Sequence, residues 1–193
     1  MMKLALPLLA ATSLLAACGD DTKSSDDVVT SEVADTTPDT EAVDPADVVD
    51  PATVRVYTSA EVCALVTQEA ASATLGVEVT EVEVAEMSTP QCWYHFTAAD
   101  GVSTNLALAV QRPIEDLAGA AGKAGFDFTT SLVIFDVPYE PLAGLGDEAA
   151  VSASPNLTIV AVLANDQVFT ITTSAPIDIA GLVAFGNVVA AKV

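Results

Sequence analysis

His95 is the only histidine in the chain, so any Ser-His-Asp or Cys-His arrangement has a single candidate base. It lies between Tyr94 and Phe96 in a stretch of strand composition, and it reads as a sheet-surface or edge histidine turned away from Trp93. Asp147 and Glu148 come next, as paired carboxylates for acid–base work. Adjacent positions on a strand point to opposite faces, which counts against shared chemistry. A tight turn over 144–147, with Asp147 bonding its own backbone, is the favoured reading. The pairs Asp20-Asp21 and Asp26-Asp27 lack the ligand spacing and turn glycine of a calcium loop, and read as a solvated charge run. The sequence has no P-loop and no Gly-x-Gly-x-x-Gly, and one histidine builds no zinc site when the cysteines are committed elsewhere. No catalytic residue, metal or cofactor is therefore expected, and the chain reads as non-enzymatic.

The three cysteines divide by position. Leu15-Ala16-Ala17-Cys18 follows one positive charge, Lys3, and an apolar run from Leu4 to Ala11 that continues through Leu14 and Leu15. That is a secretory signal, too short to span a bilayer as a stable helix. Its small-residue cleavage site ending on cysteine resembles the bacterial lipobox. The resemblance implies that residues 1–17 are removed, that the Cys18 thiol carries diacylglycerol, and that Cys18 becomes an acylated N-terminus. The protein would then sit on the outer face of the bacterial cell membrane or in the cell envelope. An ordinary signal peptide with a cysteine nearby is the plain alternative. Cys63 and Cys92 remain, and an even pair in an exported domain reads as one disulfide. Closing the loop between them stabilises by about 3–4 kcal/mol on a chain-entropy estimate. Two separate buried thiols are the alternative.

Charge agrees with export and excludes other partners. The net charge is −21, from 27 acidic and 6 basic residues. Nucleic acid and anionic lipid surfaces both need Lys and Arg to neutralise phosphates, so neither is an expected partner. Attachment to the membrane falls to the acyl chains on Cys18, where each buried methylene contributes roughly 0.8 kcal/mol and two chains hold where one does not. Residues 18–52 are rich in Asp, Thr, Ser, Val and Pro, with no aromatic and no hydrophobic period. Such a segment cannot offset its ordering entropy and reads as a disordered, self-repelling tether. A flexible chain of that length spans roughly 30–35 Å.

Residues 53–193 are left for a single domain. Thr58-Ser59-Ala60-Glu61 is a capping box opening a helix, and Thr67 caps a second one, 68–75, closed by Gly76 as a left-handed cap. Val77 and Val79 alternate in one parity and Val82 and Val84 in the other, which predicts a bulge near Thr80-Glu81. Strands are expected at 91–97 and 102–110, joined by an Asp100-Gly101 turn. Ser103, Asn105, Ala107 and Ala109 form a face small enough to receive a helix. A weak helix is expected from Pro113 to about Lys123, then strand composition at 131–137 broken by Pro138 and Pro141. A hairpin follows, 156–163 and 167–174, turning at Asn165-Asp166. A last helix, capped by Ser174 with Pro176 near its first turn, runs to about Ala191. Strands between helices at both ends predict an α+β two-layer sandwich with a mainly antiparallel sheet.

Cys63-Ala64-Leu65-Val66-Thr67, Cys92-Trp93-Tyr94 and Leu145-Gly146-Asp147-Glu148-Ala149 occur in the order seen in an uncharacterised family of actinobacterial envelope lipoproteins. Over most of 57–192 the chain resembles that family, with its Cys-x-Leu-Leu-Thr helix and Gly-Leu-Gly-Asp-Glu-Ala segment. The resemblance implies a secreted α+β domain with a helix-to-strand disulfide, similar in outline to PsbP-like folds, and no catalytic residues to transfer. The acidity and long tether depart from the family pattern.

One stretch suggests a binding role. Phe126, Phe128, Phe135 and Tyr139 lie among prolines and glycines in 125–145, which is expected to form an ordered contact loop over one sheet edge. These features point to a membrane-tethered interaction or binding module for an unknown envelope protein. A carrier with a lipid or small apolar ligand in a sheet–helix cleft is the alternative. The anchor is tested by Cys18→Ala. The variant is expected in the soluble fraction after envelope fractionation and a high-salt wash, while the wild-type chain stays with the membrane.

Overall fold

The structure is a computed structural model that describes residues 54–99, 101–113, 121–132 and 136–193. Cys18, the segments on either side of it and Phe135 lie outside the described residues.

Helix α1 (Ser59–Leu65) starts where the capping box predicts. The Thr58 hydroxyl accepts from the Glu61 amide at 3.3 Å, and the Glu61 carboxylate accepts from the Thr58 amide at 2.9 Å. That amide holds the Glu61 carboxyl below its ordinary range. Helix α2 (Gln68–Leu75) is capped by Thr67 and ends at Gly76, with φ +68°. Strand β1 (Val79–Ala85) carries the expected bulge between Val79 and Glu81. Strands β2 (Gln91–Thr97) and β3 (Ser103–Val110) follow, then α3 (Gly122–Ser131), the two-residue β4 (Glu140–Pro141) and β5 (Glu148–Ser154). Strands β6 (Leu157–Ala164) and β7 (Gln167–Thr173) form a hairpin on Asn165 and Asp166, both at positive φ, before α4 (Ile179–Ala190).

The seven strands form one antiparallel sheet in the order β1-β2-β3-β7-β6-β5-β4. This is the predicted α+β class, a sheet with helices packed on it. One face carries α1, α2 and α4. There Tyr94, Phe96, Leu106, Leu108, Val160, Val162, Phe169 and Ile171 meet Val62, Leu65, Leu75, Leu182, Phe185 and Val189, all buried. Tyr94 sets its ring edge-on to Phe185 at 5.2 Å and donates its hydroxyl to the Val66 carbonyl at 3.1 Å. Burial pushes that phenol well above its ordinary pKa. The Cys63–Cys92 disulfide, with Cα atoms 5.0 Å apart, joins α1 to β2 beneath this layer.

Among the described residues, the second face is only partly covered. Phe126 of α3 packs there with Ala150, Ala161, Leu163 and Val168, a cover that the two-layer expectation did not include. The helix faces of β3 also differ from expectation. Its large side, Leu106, Leu108 and Val110, receives the helices of the main core, and its small side looks towards α3.

Of the remaining elements, some lie outside the described residues and others differ from expectation. Most of the helix expected from Pro113 falls on 114–120, outside the described residues, and α3 begins at Gly122, where that helix was to end. Its inward positions Gly122, Gly125, Phe126 and Thr129 have helical spacing, but three of them are too small or polar to register as a hydrophobic stripe. Of the strand composition at 131–137, Ser131 instead closes α3, and 133–135 lie outside the described residues. Strand β5 was not anticipated, because its Ala and Ser residues carry little strand signal. Finally, Asp178 caps α4, its carboxylate accepting from the Ala180 amide at 3.3 Å. Ser174 instead sits near Thr104, and Ala175, preceding Pro176, is biased towards extended backbone.

The turn 144–147 crosses the end of the sheet at close quarters. A Cβ on Gly146 would lie 2.5 Å from the Leu163 carbonyl oxygen, and the residue sits at φ +59°. Gly144, at φ +82°, faces open space. Gly146→Ala is therefore expected to lose about 2–5 kcal/mol, from backbone strain plus overpacking. Gly144→Ala should lose only the strain, about 1–2 kcal/mol. Urea unfolding of the two variants, compared by midpoint, checks the difference.

Candidate functional site

Positions two apart on a strand share a face, so the second face of β2 presents Gln91, Trp93 and His95 together. This corrects the expectation that His95 turns away from Trp93. The His95 Nε2 lies 2.8 Å from Glu83 Oε2 on the neighbouring strand, and its ring is edge-on to Trp93 at 6.3 Å. The Trp93 indole donates to Gln91 Oε1 at 3.3 Å. Cys63 and Cys92 are oxidised to each other, so the His95–Glu83 pair has neither thiol to activate. The imidazole and the carboxylate share a hydrogen bond at the sheet surface, where the sequence placed the histidine.

Asp147 and Glu148 are pulled apart. The Asp147 carboxylate accepts from the Asn165 amide at 2.9 Å, clasping the β6–β7 turn rather than its own backbone. Glu148 pairs with Lys123 at 3.2 Å. Among the described residues, no group of three His, Cys, Asp or Glu could hold a metal ion.

An open groove runs between α3 and the uncovered part of the second face. Its volume is about 460 Å³. Gln91, Ala109 and Thr170 of the sheet form its floor, Phe128, Thr129 and Leu132 form the α3 side, and Ser88, Thr89, Gln111 and Arg112 complete it. The groove exists because α3 is held off β2 and β3. Phe126 anchors the helix over β5, β6 and β7, and Thr129 ties it to the end of β3 through a hydrogen bond with the Gln111 side chain at 3.0 Å. The small residues of β3 then leave depth where no described helix covers them.

The four aromatics of the expected contact loop separate accordingly. Phe126 is 2% exposed and belongs to the core under α3, so its expected role as a contact is corrected. Tyr139 is half-buried against the same cluster, and that burial pushes its phenol up. Phe128 is 39% exposed and lines the groove, with Leu132, 45% exposed, one helical turn further on. Phe135 lies outside the described residues. The sequence reading missed Leu132 and Arg112. The i, i+4 spacing of Phe128 and Leu132 was the available signal, concealed by reading the segment as a loop.

Arg112 is exposed and differs from the other described cations in its partners. Arg55 pairs with Glu61 at 3.1 Å, Lys123 with Asp127 and Glu148, and Lys192 donates to the Leu65 carbonyl. Among the described residues, Arg112 alone of the Lys and Arg side chains makes neither an ion pair nor a hydrogen bond. Asp166 borders an adjoining crevice with it, without an ion pair.

The chain matches no protein-family model, no curated protein and no solved structure. The site therefore rests on its own geometry.

Burial separates the two phenylalanines of α3 by experiment. Phe126→Ala is expected to lose about 3–5 kcal/mol of stability, as a truncated core aromatic. Phe128→Ala should lose well under that, about 1 kcal/mol or less, because its side chain is already partly in water. Thermal and urea unfolding of both variants measure this.

Proposed function

We propose that this protein is a non-enzymatic binding module of the bacterial cell envelope, anchored by acyl chains on Cys18 and carried clear of the membrane on the acidic segment 18–52. Its contact site is the groove beside α3. The observation that carries the reading is the placement of Phe128 and Leu132. Two large apolar side chains stand half in water over a recess of about 460 Å³, while the core on the other face is closed by fully buried residues. Exposed apolar side chains grouped at a concavity mark interaction sites more often than single scattered ones do. The dispersal of His95, Asp147 and Glu148 to separate structural partners supports a role without catalysis. The resemblance to actinobacterial envelope lipoproteins supports the same address.

A carrier role stays as a second reading on one specific observation. The groove lies between a helix and the sheet, as a carrier cleft would, although it lies on the face opposite the main core.

The reading is tested with the full chain and its Leu132→Asp variant, which places a charge on the rim without touching the core. Wild type should recover an envelope component from detergent extract, and the variant should recover at least several-fold less with unchanged thermal stability. Equal recovery by the two proteins would remove the groove as the contact site.

A further inference from the structure

Resting on the groove as the contact site, we infer that its occupant is a small amphiphilic monocarboxylate, with the acid on Arg112 and the apolar tail along Phe128 and Leu132. The cation comes first in the argument. Every other described Lys or Arg is occupied by an acid or a carbonyl, whereas Arg112, exposed at the groove's border, makes no ion pair or hydrogen bond. An unpaired guanidinium offers a planar fork that matches a carboxylate in two parallel hydrogen bonds.

The charge of the whole chain selects among anions. At a net −21, the protein's field opposes every approaching anion, and a phosphate or a second carboxylate is opposed roughly in proportion to its charge. A single negative charge that can be desolvated against one arginine is the favoured compromise. The rest of the ligand is set by the lining. Phe128, Leu132 and Ala109 offer apolar contact, while Gln91 and Thr170 offer a few hydrogen bonds, and the recess of 460 Å³ falls in the range of about 300–1,000 Å³ usual for small-molecule sites.

Trp93, the one tryptophan of the chain, reports on the site, because its indole is hydrogen-bonded to Gln91 on the groove floor. The full chain is titrated with octanoate and with octanol, following Trp93 fluorescence, with calorimetry on the same samples should the indole stay silent. Octanoate should saturate, and octanol should bind about tenfold more weakly or less, the scale of one charge-assisted pair. Arg112→Gln should bring octanoate down to the octanol level and leave octanol unchanged. Equal binding of acid and alcohol, or an unaltered octanoate affinity in Arg112→Gln, overturns the assignment of the acid to Arg112. If neither probe binds while Leu132→Asp still loses its envelope component, the monocarboxylate is the wrong occupant and the groove stands as the contact site. If neither probe binds and Leu132→Asp also recovers normally, both readings fall.

Discussion

Phe126 seats its ring among Ala150, Ala161, Leu163 and Val168, on the face of the sheet that the main core does not use. The strand beneath it, β6, is consequently buried on both sides. Val160, Val162 and Ala164 face the main core, and Ala161 and Leu163 face α3. This doubly covered strand fixes where the third helix lies, and with it the groove. A helix with Gly122 and Gly125 on its inner face is intrinsically weak, by roughly 1 kcal/mol per glycine relative to alanine. Its position depends on the aromatic anchor and on the Thr129–Gln111 hydrogen bond.

How much of this was legible in the sequence varied with the kind of signal. The capping box at Thr58, the cap at Thr67, the parity change at Thr80, and the strands β2, β3, β6 and β7 are local signals, and each is present in the structure. The Cys63–Cys92 pairing was also legible, because only two cysteines remained for an exported domain. What failed were elements whose inner faces are small or polar. Strand β5 buries Ala149, Ala150 and Ser152, and α3 buries two glycines and a threonine. Hydrophobic periodicity does not register these, since burial there follows from close approach rather than from apolar bulk. The expected contact loop shows the same limit. Its aromatics were rightly noticed, but only helical phase distinguishes the core Phe126 from the groove-side Phe128.

The groove itself was not legible because topology assembles it. Strand β7 inserts between β3 and β6, bringing Thr170 beside Ala109 from across a long stretch of sequence. Arg112 looked like an ordinary surface base before a proline. Its significance appears only when the other cations are seen to be occupied, which depends on long-range pairs such as Lys123 with Glu148 and Lys192 with the Leu65 carbonyl.

The disulfide has a mechanical consequence. A pull on the chain ahead of residue 54 would enter the domain through Val54 and Tyr57 into α1. Without the cross-link, that force would peel α1 and then α2 from the sheet, one turn at a time, and reach the edge strand β1 last. The bond from Cys63 to Cys92 transfers the load directly into β2, next to the sheet's edge, and removes residues 64–91 from the path of extension. The load then meets β2 where β1 and β3 both pair with it along its length. Any pull on the chain ahead of Cys63 thus reaches β2 through a covalent bond, without first drawing out α2 or β1.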